Sequence, residues 1–446
     1  MAVVDALGEH KAAEVRLKKA VEAAQAKKKE LLAAQEAVAT LLRRGGLGLG
    51  RTAPRPAAEL QKAQQAVDAA AAAVSTAATE ERRLLLEVRD ARAKAAFENP
   101  SLFGPPKVEV AAVTQPTAAT GFSDDRQALE KPVEAPNRKK VGLLFPGQGS
   151  QYVKMMSMLI ENPEVKKLCE RARKILGWDP IEVCIEGPED KLVETATCQP
   201  CLFLASMAGM IKLRSENPEV ADNPYAVAGL SLGEYSALCA AGVFTFEEGL
   251  ELVRVRGLAM AEAASLQPQL MLSVFGIDQE TMEKLCQAEV KPGQVCQIAN
   301  LLFPRGFSCS GTADAINNLK DTVVEAGAMQ AKLLKVEGAF HTSLMKPAQT
   351  KLQDALDRIL PNMQPPTCDV YLNVTGKKVP KGTPPSEFID LLGKQLCSTV
   401  LWEASVRLMI EDGLSEFYEV GPMKQLKAMM KRTDMDAWKN MYNIEV

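Results

Sequence analysis

Two histidines serve 446 residues, His10 and His341. That scarcity excludes most His-based metal sites and leaves any serine–histidine chemistry very few candidates. No metal is expected. The formal net charge of -3 is too near zero to suggest nucleic acid or an anionic membrane as the main partner. No apolar run is expected to reach the length of a membrane span. The opening "MAVVDALGEHKAAEV" has no apolar h-region, so it does not read as a secretory signal. Asp5 and Glu9 also make it too acidic for a typical transit peptide. The ten cysteines have no dense small-scaffold spacing, which favours free thiols in a reducing compartment. Cys198 and Cys201 form a C-x-x-C, but without a second pair there is no zinc pattern.

What is present changes along the chain. Leu17, Val21, Ala24, Leu31, Val38 and Leu42 fall on a 4-3 spacing, with Lys28 and Gln35 at the two missing steps. After "RRGGLGLGRTAPRP" the pattern resumes at Leu60, Ala63, Val67, Ala70, Val74, Ala77, Leu84, Val88 and Ala91, interrupted once at Glu81. Sustained a/d spacing with flanking charge predicts a coiled coil, and the Gly/Pro break predicts an antiparallel helical hairpin over residues 1–98. Residues 99–139 are Pro-rich and weakly periodic, a linker composition. From Lys140 onward short apolar strands alternate with amphipathic helices, which predicts an α/β domain with a mainly parallel sheet over residues 140–446.

Within that domain, Gly229-Leu230-Ser231-Leu232-Gly233 matches the G-x-S-x-G elbow. Glycines two residues either side of a serine let a strand and a helix pass closely, with the hydroxyl exposed at the turn. The alternative is a serine that only caps the helix. A serine nucleophile needs a base. His10 falls in the coiled-coil arm, so His341, in "VEGAFHTSLMKPA", is the credible imidazole. The backbone N–H of Leu232 points at developing negative charge. The turn "FPGQGSQ" follows the first strand and lies on the same sheet edge, so the N–H of Gln148 is placed to complete an oxyanion hole. The turn lacks the lysine of a P-loop, which weakens nucleotide binding as its role. Arg254 and Arg256 lie on a helix from about Phe246. One reads as a surface cation and the other as a buried one seeking a carboxylate; spacing leaves open which.

Five ordered motifs, "LLFPGQGSQ", "GLSLGEYSAL", "LVRVRGLAM", "GAFHTSLMKPA" and "WEASVRLMIEDGLSEFYEVGPMKQLKAMMKR", resemble the malonyl-CoA:acyl-carrier-protein transacylase family of type II fatty-acid synthesis. The version with Leu230 before the serine is similar to the plant and algal plastid branch. The resemblance implies an α/β-hydrolase-like large subdomain with a ferredoxin-like one inserted at about residues 263–336. It implies Ser231 as nucleophile, His341 as base and the backbone carbonyl of Gln395 as the group orienting the imidazole. It implies Gln148 and Leu232 as oxyanion donors, Arg256 as the clamp on the malonate carboxylate and Phe340 as a malonyl-selective residue. The expected partners are malonyl-CoA and acyl carrier protein, with phosphopantetheine arriving on both and no bound cofactor. A plastid location follows from the resemblance alone. Met423, Leu401 and the stretch "NLLFPRGFSCSG" depart from the family pattern, and the coiled-coil arm has no counterpart in it. Two other readings use the same residues: a serine hydrolase or thioesterase, and a non-catalytic scaffold acting through the coiled coil.

Overall fold

A computed structural model describes residues 139–446 throughout, with scattered helical positions between residues 11 and 84. Contacts divide the chain into two units, Met1–Pro132 and Val133–Val446. Most of the predicted hairpin positions, Leu17, Val21 and Ala24 among them, and the linker up to residue 138 lie outside the described residues. Of the heptad positions that are described, Val67, Ala70 and Leu84 are helical, and Leu84 is buried.

Eleven strands are described in the second unit. They are β1 (Lys140–Phe145), β2 (Ala226–Gly229), β3 (Gln269–Phe275), β4 (Cys296–Phe303), β5 (Gly306–Thr312), β6 (Gln330–Leu333), β7 (Asp369–Tyr371), β8 (Lys378–Val379), β9 (Val400–Leu401), β10 (Leu414–Val420) and β11 (Met441–Ile444). One sheet has the order β11-β10-β1-β2-β7-β8. Its first five strands run parallel, and β8 alone is antiparallel. Parallel strands are covered on both faces, which is why β1 and β2 read as unbroken apolar runs. The second sheet has the order β6-β3-β5-β4-β9. Its strands β3 to β6 are antiparallel and enclose two helices, Gln279–Ala288 and Ala313–Glu325. The strand β9 returns from later in the chain and pairs parallel with β4.

Two helices build the wall beside the first sheet. Helix Thr195–Glu216 is long and apolar enough by composition to cross a membrane, contrary to the sequence expectation, but 83% of its apolar window is buried inside the protein. A helix apolar on all sides is a core helix when its surroundings are protein. Helix Phe246–Ala264 starts at a capping box, in which the Thr245 hydroxyl accepts from the Glu248 N–H and the Glu248 carboxylate accepts from the Thr245 N–H. Its buried face carries Leu250, Val253 and Gly257. At Gly257 the two helices nearly touch, since a Cβ there would lie 2.9 Å from the Thr195 carbonyl oxygen. Phe203 and Phe246 stack across the pair at 5.8 Å between ring centres. Truncating Phe203 to alanine would cost about 3–5 kcal/mol.

Candidate active site

The site lies at the carboxyl ends of β1 and β2, where open parallel sheets place their ligands. The chain leaves β2 at Gly229, turns at Ser231 and enters helix Gly233–Ala240. Ser231 adopts a left-handed φ of 53°. This strain is retained because the surroundings leave no alternative. A Cβ on Gly233 would lie 2.1 Å from the Phe145 carbonyl oxygen, so the helix packs directly on the end of β1. A Cβ on Gly147 would lie 2.3 Å from the Leu230 carbonyl oxygen. That glycine brings the "FPGQGSQ" turn against the elbow and Gln148 to its rim. No acceptor among the described residues takes the backbone N–H of Gln148 or of Leu232.

His341 sits with its Nε2 2.8 Å from the Ser231 Oγ. Its Nδ1 is 2.8 Å from the main-chain oxygen of Gln395. A carbonyl can only accept, so Nδ1 carries the hydrogen and Nε2 presents its lone pair to the serine. No carboxylate takes part in this line. His341 lies in a turn with φ 62°, well past the end of β6 at Leu333. Burial lowers its pKa to about 4, repulsion from Arg256 acts the same way, and the Gln395 carbonyl partly opposes both. The imidazole is therefore neutral at physiological pH.

Arg256 is the buried cation of the helix and is 1% exposed. Arg254 lies nearer the surface and forms a two-point contact with Glu251, at 2.7 and 2.6 Å. Arg256 donates to the Ser231 Oγ (3.1 Å), to the Gln395 Oε1 (2.8 Å) and to the Gln199 Oε1 (2.8 Å). Its Nε has no acceptor, and among the described residues its other nitrogens are held by no carboxylate. A buried guanidinium held by neutral amides is prepared for an incoming carboxylate.

Three polar residues that sequence reasoning missed complete the site. Asn373, just past β7, accepts from the Ser231 N–H (2.7 Å) and donates to the Gly229 carbonyl (2.7 Å), which locks the elbow. Glu234 accepts from the Asn373 N–H (2.6 Å) and from the Gln395 Nε2 (2.6 Å). Burial raises its carboxyl pKa to about 7 against the pull of those donors and of Arg256. Gln199 lies inside the "TCQPCLF" stretch. The flanking Cys198 and Cys201 are buried, and burial pushes the Cys198 thiol up, as for inert structural thiols. The side chain of Gln395 also goes beyond the expected carbonyl role, donating to the Ser231 carbonyl at 2.9 Å.

A cavity of about 110 Å³ opens onto Ser231, His341 and Arg256. Phe340, Met260 and Met271 form part of its apolar wall, and Gln148 and Gln425 part of its polar rim. The second sheet contributes Asn300 and Ser308, so the cavity lies between the two sheets.

The acyl transferase domain family matches residues 143–444. The mitochondrial malonyl-CoA-acyl carrier protein transacylase of Mus musculus is 40% identical over 316 residues, 68% of this chain and 81% of that protein. The crystal structure of an acyl-carrier-protein-S-malonyltransferase from Bartonella henselae superposes with a TM-score of 0.64 at 31% identity, covering 69% of this chain and 95% of that one. A type II PKS acyl-carrier protein in complex with its malonyl-transacylase gives a TM-score of 0.62 at 31% identity, covering 68% of this chain and 94% of that one. With a strained serine at the elbow, an imidazole against it and relatives of this kind along the domain, the chain belongs to the acyl transferase domain family, among the malonyl-CoA-acyl carrier protein transacylases.

Proposed function

We propose that the chain moves a malonyl group from malonyl-CoA to the phosphopantetheine thiol of acyl carrier protein through a malonyl-Ser231 intermediate, supplying fatty-acid synthesis. The observation that carries this reading is Arg256, a buried cation without a carboxylate, whose Nη2 lies 3.1 Å from the nucleophilic oxygen. A plain esterase has no use for a cation there. Malonyl is a short acyl group with a free carboxylate at its far end, and Arg256 is placed to pair with it.

The geometry supports the following steps. His341 Nε2 takes the proton of Ser231 as Oγ attacks the thioester carbon. The tetrahedral oxyanion is held by the N–H groups of Gln148 and Leu232. Collapse breaks the carbon–sulfur bond, and the imidazolium returns its proton to the departing coenzyme A thiolate. In the second half, His341 takes the proton of the phosphopantetheine thiol, whose sulfur attacks the acyl-serine. Ser231 leaves and recovers its proton from His341. The Gln395 carbonyl holds the tautomer throughout, so no third acidic residue is needed. Phe340 closes the cavity beside the acyl chain. The cycle uses no resident cofactor.

The βαββαβ order of the second sheet supports a ferredoxin-like insert within an α/β-hydrolase-like domain. Residues 1–98 we read as a coiled-coil hairpin for tethering or interaction, joined by a linker over 99–139. The mouse relative is mitochondrial by name; a plastid placement rests on the "GLSLGEY" resemblance.

Intact-mass spectrometry after brief exposure to malonyl-CoA tests the reading. Wild type should carry a malonyl adduct and pass it to added holo acyl carrier protein. Ser231→Ala should carry none, and Arg256→Ala much less. Steady release of free malonate without an adduct would identify a hydrolase. Neither adduct nor turnover would leave the arm as the functional element.

A further inference from the structure

Gln395 stands between two charged groups. Its Oε1 accepts from Arg256, and its Nε2 donates to the Glu234 carboxylate. The orientation of this amide is dictated rather than chosen. Arg256 can only donate, so the oxygen must face it. The second Glu234 oxygen already accepts from the Asn373 N–H, so an ionised Glu234 requires an N–H on its Gln395 side. Had a carboxylate stood at position 395, it would contact Arg256 directly and neutralise the cation.

We infer that Glu234 is a positioning residue for acyl selection: it fixes the amide of Gln395, which acts as a neutral spacer keeping the site's buried anion one hydrogen bond away from Arg256. Glu234 and Arg256 thus balance each other in the protein interior without pairing. The guanidinium keeps its charge available for the substrate's carboxylate. The Arg256 Nε has no acceptor, and the partners of its other nitrogens are all uncharged. This inference rests on the malonyl-transfer reading above.

Glu234→Gln is nearly isosteric and tests it. The introduced amide would accept from Asn373 with its oxygen and present its NH2 to the NH2 of Gln395. That clash pushes the Gln395 amide off its place and strains its contacts with the Arg256 guanidinium and the Ser231 carbonyl. The measurement is the rate of adduct formation with malonyl-CoA and with acetyl-CoA, at about pH 8 so that Glu234 is ionised in wild type. Acetyl lacks the carboxylate, so it reports on everything except the clamp. The malonyl-to-acetyl preference should fall about tenfold or more, chiefly through KM for malonyl-CoA, as loss of one charge-assisted contact would give. An unchanged preference in a folded variant, with both rates reduced alike, would reduce Glu234 to a structural role and overturn the inference.

Should Glu234→Gln not fold, Gln395→Glu tests the spacer from the other side. It keeps the main-chain carbonyl that His341 uses and moves a carboxylate onto Arg256. Its malonyl preference should also collapse by about tenfold or more. Wild-type preference in this variant would overturn the spacer. A wild-type protein that takes no acyl group from malonyl-CoA at all would overturn the functional reading itself, and the inference with it.

Discussion

Gly229 and Gly233 meet backbone to backbone: a Cβ on Gly229 would lie 1.9 Å from the carbonyl carbon of Gly233. The strand that enters the elbow and the helix that leaves it therefore cross with no room for a methyl group. Ser231 is pushed to the apex between them. Gly229→Ala should cost about 3 kcal/mol or more, because backbone cannot move aside as a flexible side chain can. A displaced serine should also acylate at least about a hundredfold more slowly. Thermal melting and adduct formation check both. A variant that melts and acylates like wild type would show that the crossing leaves room for a methyl group.

Gln199 holds the far nitrogen of Arg256 at 2.8 Å. Gln199→Ala leaves a second guanidinium nitrogen buried without an acceptor, a cost of about 1–3 kcal/mol. The guanidinium should swing from its place, raising KM for malonyl-CoA about tenfold. Steady-state kinetics beside a melting curve separates the two effects. An unaltered KM would mean that Gln395 alone is enough to hold Arg256.

The buried imidazole predicts an unusual acid limb. The folded pKa of His341 is about 4, below the ordinary value of 6.5. In the proposed mechanism the neutral imidazole is the base, so acylation should persist through pH 5 and fail near pH 4. For stability, the unfolded chain takes up this proton below about 6.5 while the folded chain refuses it. The contribution of His341 is thus complete above 6.5 and is lost as pH falls toward 4, at up to about 1.4 kcal/mol per pH unit. A pH–rate profile of the acylation step with its midpoint near 6.5 would contradict the burial argument.

Met423 occupies a left-handed turn, with φ 64°, and is 41% exposed. Its side chain gains little from packing there and carries the conformational penalty of a non-glycine residue. Met423→Gly should raise stability by about 0.5–1 kcal/mol, after allowing for the added freedom of the unfolded chain. Denaturant titration reads this directly. A loss of stability would show that the methionine packs more firmly than its exposure implies.

The elbow is legible in the sequence because its glycines answer a local steric demand within five residues. His341 stands out because imidazoles are scarce, and the resemblance points to Arg256. The polar lattice behind them carries no such signal. Ser231 and Asn373 are 142 positions apart, and Gln395 and Glu234 are 161 apart. Only the packing of the sheet brings them together, and no periodicity marks an asparagine that follows a three-residue strand. The strand β4 escapes sequence reading for another reason. Its pairing with β5 shifts register twice, so its apolar residues do not alternate cleanly. Arg305, in the tight turn between β4 and β5, takes φ 61°. The strands β8 and β9 are two residues each, too short for any pattern.

The short strand β9 has a mechanical consequence. It begins five residues after Gln395 and is hydrogen-bonded into the second sheet beside β4. Thr399 anchors the same junction, its hydroxyl donating to the Ile298 carbonyl at 2.8 Å. From β4 itself, Gln297 donates to the main-chain oxygen of His341 at 3.2 Å. The second sheet thus grips the chain on both sides of the imidazole, at His341 and just beyond Gln395. Any hinge-like widening of the cleft, as a bulky thioester enters, would pull on the base and on its orienting carbonyl together. Such a widening would therefore couple admission of substrate to alignment of the proton acceptor through two strands.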